Sequence, residues 1–209
     1  MKENPFTPDA FRRSDESPDE DFYRTPRFVT HIDDKAIAAV TELYREFFPP
    51  SGAILDLMSS WVSHLPEEAE YSRVSGLGMN AEELENNPRL DDFVVWNLNE
   101  KPTLPYGSSE FDGCGICVSV DYLTKPVEVL REVGRVLKPE SPVVISFSNR
   151  CFPTKAVSGW HSHGDAGRMR LVEDYLREAG CFDDIRSLDR SPRGFFSDPL
   201  YAVVGVSAK

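Results

Sequence analysis

The run at residues 114–120, CGICVSV, is almost entirely apolar or small and shows no polar alternation. A strand of that kind is buried on both faces, as happens when helices cover both sides of a parallel sheet. Similar short runs recur at 53–57, 72–78, 93–97, 113–120, 142–148, 182–188 and 201–207. Helical stretches separate them. From Asp33 onward, Ile37, Val40, Tyr44 and Phe47 form one apolar stripe that Pro49-Pro50 ends, with Thr30 and Asp33 as a capping pair. In residues 125–137, Val127, Leu130, Val133 and Leu137 share a face, with Thr124 as the cap; in 168–179, Leu171, Tyr175 and Leu176 point inward and Gly180 stops the helix. This alternation predicts an α/β fold with a doubly wound, mostly parallel sheet. Ligands of such sheets sit outside the carboxyl ends of the strands, where strand order reverses, so the junction at Asp56 is the expected cofactor position.

Composition narrows the function classes. The 209 residues suit one domain, and a net charge of −12 repels phosphate backbones, which argues against a nucleic-acid substrate. No apolar run is long enough to span a membrane, and MKENPFTPDAF has no apolar signal core, so a cytoplasmic location is expected. Cys114 and Cys117 spell CxxC, but residues three apart on a strand face opposite ways, and His161 and His163 lack the context of a second metal-binding half. No metal site is expected. Residues 1–32 are rich in Pro, Asp, Glu and Arg, and form an arm ahead of the domain at 33–209. The arm reads either as a solvated tail or, given Phe22, Tyr23 and Phe28, as a lid over a site.

The segment LPYGSSEFDGCGICVSVDYLTKPVEVLREVGRVLKPESPVVISFSN, residues 104–149, resembles the second half of a class I S-adenosylmethionine-dependent methyltransferase of the type 11-like group. The matching features, in order, are Leu-Pro ahead of the fourth strand, Phe111-Asp112 entering it, a helix ending REVGRVLKP, and a further strand. ILDL then falls on the first strand, VSGLGMNAEEL on the second strand and its helix, and DDFVVWNLN on the third, so the resemblance covers roughly 35–207. It implies a Rossmann-like sheet of seven strands whose last is antiparallel, with S-adenosylmethionine as cofactor and a small molecule as methyl acceptor. DLMSSWVSHLP marks a divergent branch of that group.

Carried over residue by residue, the resemblance implies cofactor contacts from Asp56, Leu57, Met58, Ser59, Ser60, Gly78, Met79, Asn80, Asn97, Leu98 and Ser119. Acceptor contacts fall to Tyr23, Arg27, Asp121, Tyr122, Asn149 and Arg150, and Asp121, Tyr122, His161 and His163 are the candidates for catalysis. Two departures stand out. The glycine-rich loop of the family, which lets backbone approach the cofactor, is here Leu57-Met58-Ser59-Ser60-Trp61-Val62. The acid that takes the ribose hydroxyls is replaced by Gly78, so exchange of Gly78 for Asp is expected to strengthen cofactor binding. These departures keep a second reading open, a non-catalytic methyltransferase-like binding or regulatory protein. A dinucleotide-dependent dehydrogenase is set aside, because no glycine fingerprint follows the first strand. The acceptor and the oligomeric state are not legible in the sequence.

Overall fold

The computed structural model describes residues 6–194 and 196–208. After a 3-10 turn at Pro8–Phe11, the elements are α1 (Asp19–Tyr23), α2 (Asp34–Phe47), β1 (Ala53–Leu57), β2 (Arg73–Gly78), α3 (Ala81–Glu85), β3 (Asp92–Val95) and β4 (Gly113–Cys117). α4 (Pro126–Val136), β5 (Pro142–Phe147), α5 (Ser158–His161), α6 (Asp165–Ala179), β6 (Phe182–Asp189) and β7 (Tyr201–Ser207) follow. The sheet order is β3-β2-β1-β4-β5-β7-β6. The first five strands run parallel, and β7 lies antiparallel between β5 and β6. Strand order reverses between β1 and β4, which sets the crevice above Asp56.

Two cores flank the sheet. On one face α4 and α6 bury Val129, Leu130, Val133, Leu171, Val172 and Leu176 against Leu55, Cys114 and Ile145. On the other, α2 buries Ala36, Val40, Leu43 and Tyr44 against Ile54, Val144 and Val204. The alternation of Leu55 and Ile54 between the two cores is the period-2 consequence of a strand covered on both sides. Cys114 faces the first core and Cys117 packs against the second, as expected for residues three apart on a strand. Among the described residues no group of three metal-ligating side chains occurs, and no helix is long and apolar enough to cross a membrane.

Several boundaries differ from the sequence reading, for local reasons. β4 stops at Cys117, because Val118 adopts φ 42° and the chain then turns into a 3-10 helix at Val120–Tyr122. β3 runs Asp92–Val95 rather than 93–97, and Asn97 instead opens a turn. The cap of α2 is Asp33 alone, whose side chain accepts from the Ala36 N–H at 2.9 Å; Thr30 takes no part. Thr124 does not cap α4, and its hydroxyl donates to Asn99 Oδ1 instead. α6 begins three residues early, at Asp165, and ends on Gly180 at φ 74°, a left-handed position suited to glycine.

The arm packs on the domain along its described length. Phe6 and Phe11 lie 5.1 and 6.1 Å from the Tyr175 ring. Further on, Lys155, fully shielded from solvent, donates to Ser17 O at 2.8 Å and lies 3.3 Å from Asp15 Oδ2 and 3.4 Å from Asp19 Oδ1. Asp19 is buried in turn, accepting from Arg13 Nη1 at 2.7 Å and from Asn99 Nδ2 at 2.9 Å. Lys155→Met removes the ammonium and leaves Asp19 less compensated. It should lower unfolding free energy by about 3 kcal/mol, the low end for one partner of a buried pair because Arg13 remains. Urea denaturation of the two proteins checks this.

Candidate functional site

A partly open cavity of about 150 Å³ lies at the carboxyl ends of β1 to β4, with the arm over part of it. Its floor starts at Asp56, the fourth residue of β1, which is buried. The Asp56 carboxylate accepts hydrogen bonds from Ser59 Oγ at 2.5 Å and Ser63 Oγ at 2.7 Å. Burial pushes its pKa up to about 6, with the two serines acting the other way. Met58 follows at φ 60°, so the chain leaves β1 through a left-handed residue despite carrying a side chain. Such a residue costs roughly 1–2 kcal/mol relative to ordinary backbone. The turn carries the loop toward β2, where the Ser59 N–H donates to Leu77 O at 2.8 Å.

That course explains Gly78. A Cβ built there would stand 2.2 Å from the Ser59 carbonyl oxygen, so the end of β2 admits no side chain. The expectation that aspartate at 78 strengthens cofactor binding is therefore corrected: the position is closed by packing. The acid in this neighbourhood is Glu83 of α3, which the sequence reading passed over. It is buried, and its carboxylate accepts from Ser60 Oγ at 2.6 Å and from the Arg27 N–H at 2.7 Å. Asn80, the cap of α3, offers Nδ2 to the carbonyls of Tyr23 (2.8 Å) and Arg24 (3.2 Å). Asn97 Nδ2 donates to Glu20 at 2.7 Å. Glu83, Asn80 and Asn97 are thus engaged by the arm.

Of the residues singled out for cofactor contact, all but Leu57 line the cavity; Leu57 is buried in the sheet. Tyr23, Arg27 and Tyr122 line it too. Asp121 lies behind the lining, 2% exposed, with Oδ2 unpartnered, and burial pushes its pKa up to about 7. Asn149 and Arg150 are exposed and outside the lining, and Arg150 pairs with Asp198 at 2.7 Å. His161 and His163 also stand outside it, bound to the carbonyls of Pro153 (2.9 Å) and Gly159 (2.6 Å). His31, shortly before α2, is at the cavity wall 5.1 Å from the Phe152 ring, and partial desolvation lowers its pKa. The neutral imidazole it holds at neutral pH is able to accept a proton. Ser119 Oγ, buried two residues beyond β4, has no partner among the described residues.

Gly78→Ala should overpack the loop and cost about 1–3 kcal/mol. A melting temperature equal to that of the unaltered protein would refute the contact with Ser59. Asp121 sets a pH dependence. Its folded pKa of about 7 lies above the ordinary 3.8, so the folded state holds the extra proton between those values. Its favourable contribution is complete below pH 4 and is lost as pH rises through 7. Asp121→Asn, which does not ionise, should gain on the unaltered protein by about 1 kcal/mol per pH unit across that window and then level off. Urea midpoints measured at pH 5, 6, 7 and 8 test the slope.

No family model matches the chain, and no curated protein matches it in sequence. Solved structures match throughout most of its length. The partner of the Trm112 methyltransferase activator in a Haloferax volcanii complex superimposes with a TM-score of 0.61 at 16% identity, covering 84% of this chain and 91% of that one. Haemonchus contortus phosphoethanolamine N-methyltransferase 2, in complex with S-adenosyl-L-methionine, gives 0.59 at 14%, over 82% of this chain and 52% of that one. The [4+2]-cyclase SpnF gives 0.60 at 14%, over 81% and 80%. The seven-stranded order, the antiparallel β7 and these neighbours together establish that the chain has the class I S-adenosylmethionine-dependent methyltransferase fold.

Proposed function

We propose that the chain binds S-adenosylmethionine at the carboxyl ends of β1 to β4 and transfers its methyl group to a small-molecule acceptor held beneath the arm. The observation that carries this reading is the cavity at the strand-order switch, with Asp56 in its floor.

The residues present fit the cofactor, in a manner of their own. The Ser60 hydroxyl, which donates to Glu83, keeps acceptor capacity, and Met58 keeps the left-handed turn that leads backbone into the crevice. Glu83 is the carboxylate available for ribose hydroxyls; each of its oxygens carries one hydrogen bond and has room for another. Asn97 and Asn80 would exchange their bonds to the arm for bonds to the ligand. Ligand pockets run to about 300–1,000 Å³, so a cavity of about 150 Å³ requires the arm to move before a nucleoside enters.

Bound in this way, the sulfonium supplies the electrophilic methyl group. The chain's share is orientation and the exclusion of water, with Tyr23, Tyr122 and Phe152 closing the acceptor side. His31 is placed to take a proton where the acceptor must lose one. The acidic surface and the absence of a basic cluster favour a small acceptor over a nucleic acid.

The Ser59 carbonyl over Gly78 and the bonds from Asn80 and Asn97 to the arm favour the second reading, a non-catalytic module whose crevice is permanently filled. Calorimetric titration with S-adenosylmethionine and S-adenosylhomocysteine separates the two. Saturable binding at one site is expected, and Asp56→Ala should weaken it by about tenfold or more, the scale of one hydrogen bond to a charged group, with a cooperative melt retained. Absence of binding by the folded, full-length chain would establish the module instead.

A further inference from the structure

Arg27 and Arg13 both line the cavity with a guanidinium nitrogen that lacks an acceptor among the described residues; Arg13 is committed to Asp19 at 2.7 Å, whereas Arg27 has no carboxylate on its guanidinium. Its Cζ lies 4.6 Å over the Phe22 ring and 5.4 Å over Phe152, and Nη2 donates to Phe22 O at 2.9 Å. The backbone N–H of the same residue is tied to Glu83, which fixes its approach. Nη1, however, is buried and meets no acceptor among the described residues. A guanidinium N–H out of water without a partner is costly, and its natural complement is a planar carboxylate. A second orphan, the Ser119 hydroxyl, lines the same cavity from just beyond β4. The aromatic side chains of Tyr23, Tyr122 and Phe152 line the same cavity. Donors and aromatic walls therefore agree on one kind of ligand.

We propose that Arg27 and Ser119 form a recognition point for a small planar organic carboxylate, and that the acceptor of this site carries that group. Use of the word acceptor rests on the methyl-transfer reading, whereas the anion site stands on the two unpartnered donors. In a chain of net charge −12 the long-range field repels anions, so selection for one has to come from these buried contacts.

The probes are benzoate and its neutral analogue benzamide, titrated into the full-length protein, with S-adenosylhomocysteine measured alongside. Benzoate should bind at one site at least tenfold more tightly than benzamide, and both Arg27→Met and Ser119→Ala should reduce that preference. Equal binding of the two probes, or none by benzoate, overturns the proposal. So does undiminished benzoate binding by Arg27→Met. Should Arg27→Met fail to fold, the comparison of probes on the unaltered protein and on Ser119→Ala decides. A protein that takes S-adenosylhomocysteine but not benzoate refutes the carboxylate site alone. One that takes benzoate but not S-adenosylhomocysteine keeps the site and removes methyl transfer. Loss of S-adenosylhomocysteine binding by Arg27→Met, with 5′-methylthioadenosine unaffected, assigns the arginine to the cofactor's own carboxylate and overturns the proposal.

Discussion

A lysine ammonium sealed from solvent organises the upper half of this molecule. Lys155 sits in the connection from β5 to α5, and the oxygens that satisfy it come from Asp15, Ser17 and Asp19 of the arm. Desolvating such a charge costs several kcal/mol unless partners surround it, so the domain and the arm complete each other. Asp19 extends the network to Arg13 and, through Asn99, to the loop after β3. Asn99 in turn accepts from the Thr124 N–H and hydroxyl ahead of α4. One buried cluster thus holds together the loops that wall the crevice, and the position of the roof follows from it.

Much of the polar capacity of the crevice beneath that roof is already engaged in internal hydrogen bonds. Asn80, Glu83 and Asn97 each spend polar capacity on residues 20–27. A ligand entering here exchanges contacts instead of adding them, so its affinity is the difference between two bonded states. The left-handed Met58 belongs to the same arrangement, because it swings Ser59 onto the end of β2 and lets Ser60 reach Glu83. Where a glycine-rich loop leaves open space, this loop substitutes a polar, filled surface.

Strand positions, to within a few residues, were legible in the sequence, since apolar runs without alternation and helical stripes are local signals, and the antiparallel last strand followed from the family resemblance. The crevice was legible as well, because fold topology places it above Asp56. What stayed hidden depended on distant partners. Lys155 lies roughly 140 residues from its acceptors, and nothing around it in sequence marks it as buried. Glu83 reads as an ordinary surface acid of α3 until Ser60 and Arg27 arrive from loop and arm. Gly78 reads as a missing acid, whereas its meaning is the close approach of Ser59. His161 and His163 attracted notice as a pair, yet a short helix turns both onto backbone carbonyls outside the cavity.

Trp61 links the loop to the arm, its indole Nε1–H donating to Val29 O at 3.1 Å and its ring 6.3 Å from Phe28 at 80°. Lifting the arm would break that bond and strip one side of the indole of its apolar cover. Indole emission moves to longer wavelength as the ring becomes hydrated; Trp160, shielded deep in the core, adds a constant background, and Trp96, which lines the same cavity, is removed by substitution to leave Trp61 as the reporter. The chain therefore carries an intrinsic optical gauge of whether its crevice is covered, positioned where the arm meets the loop.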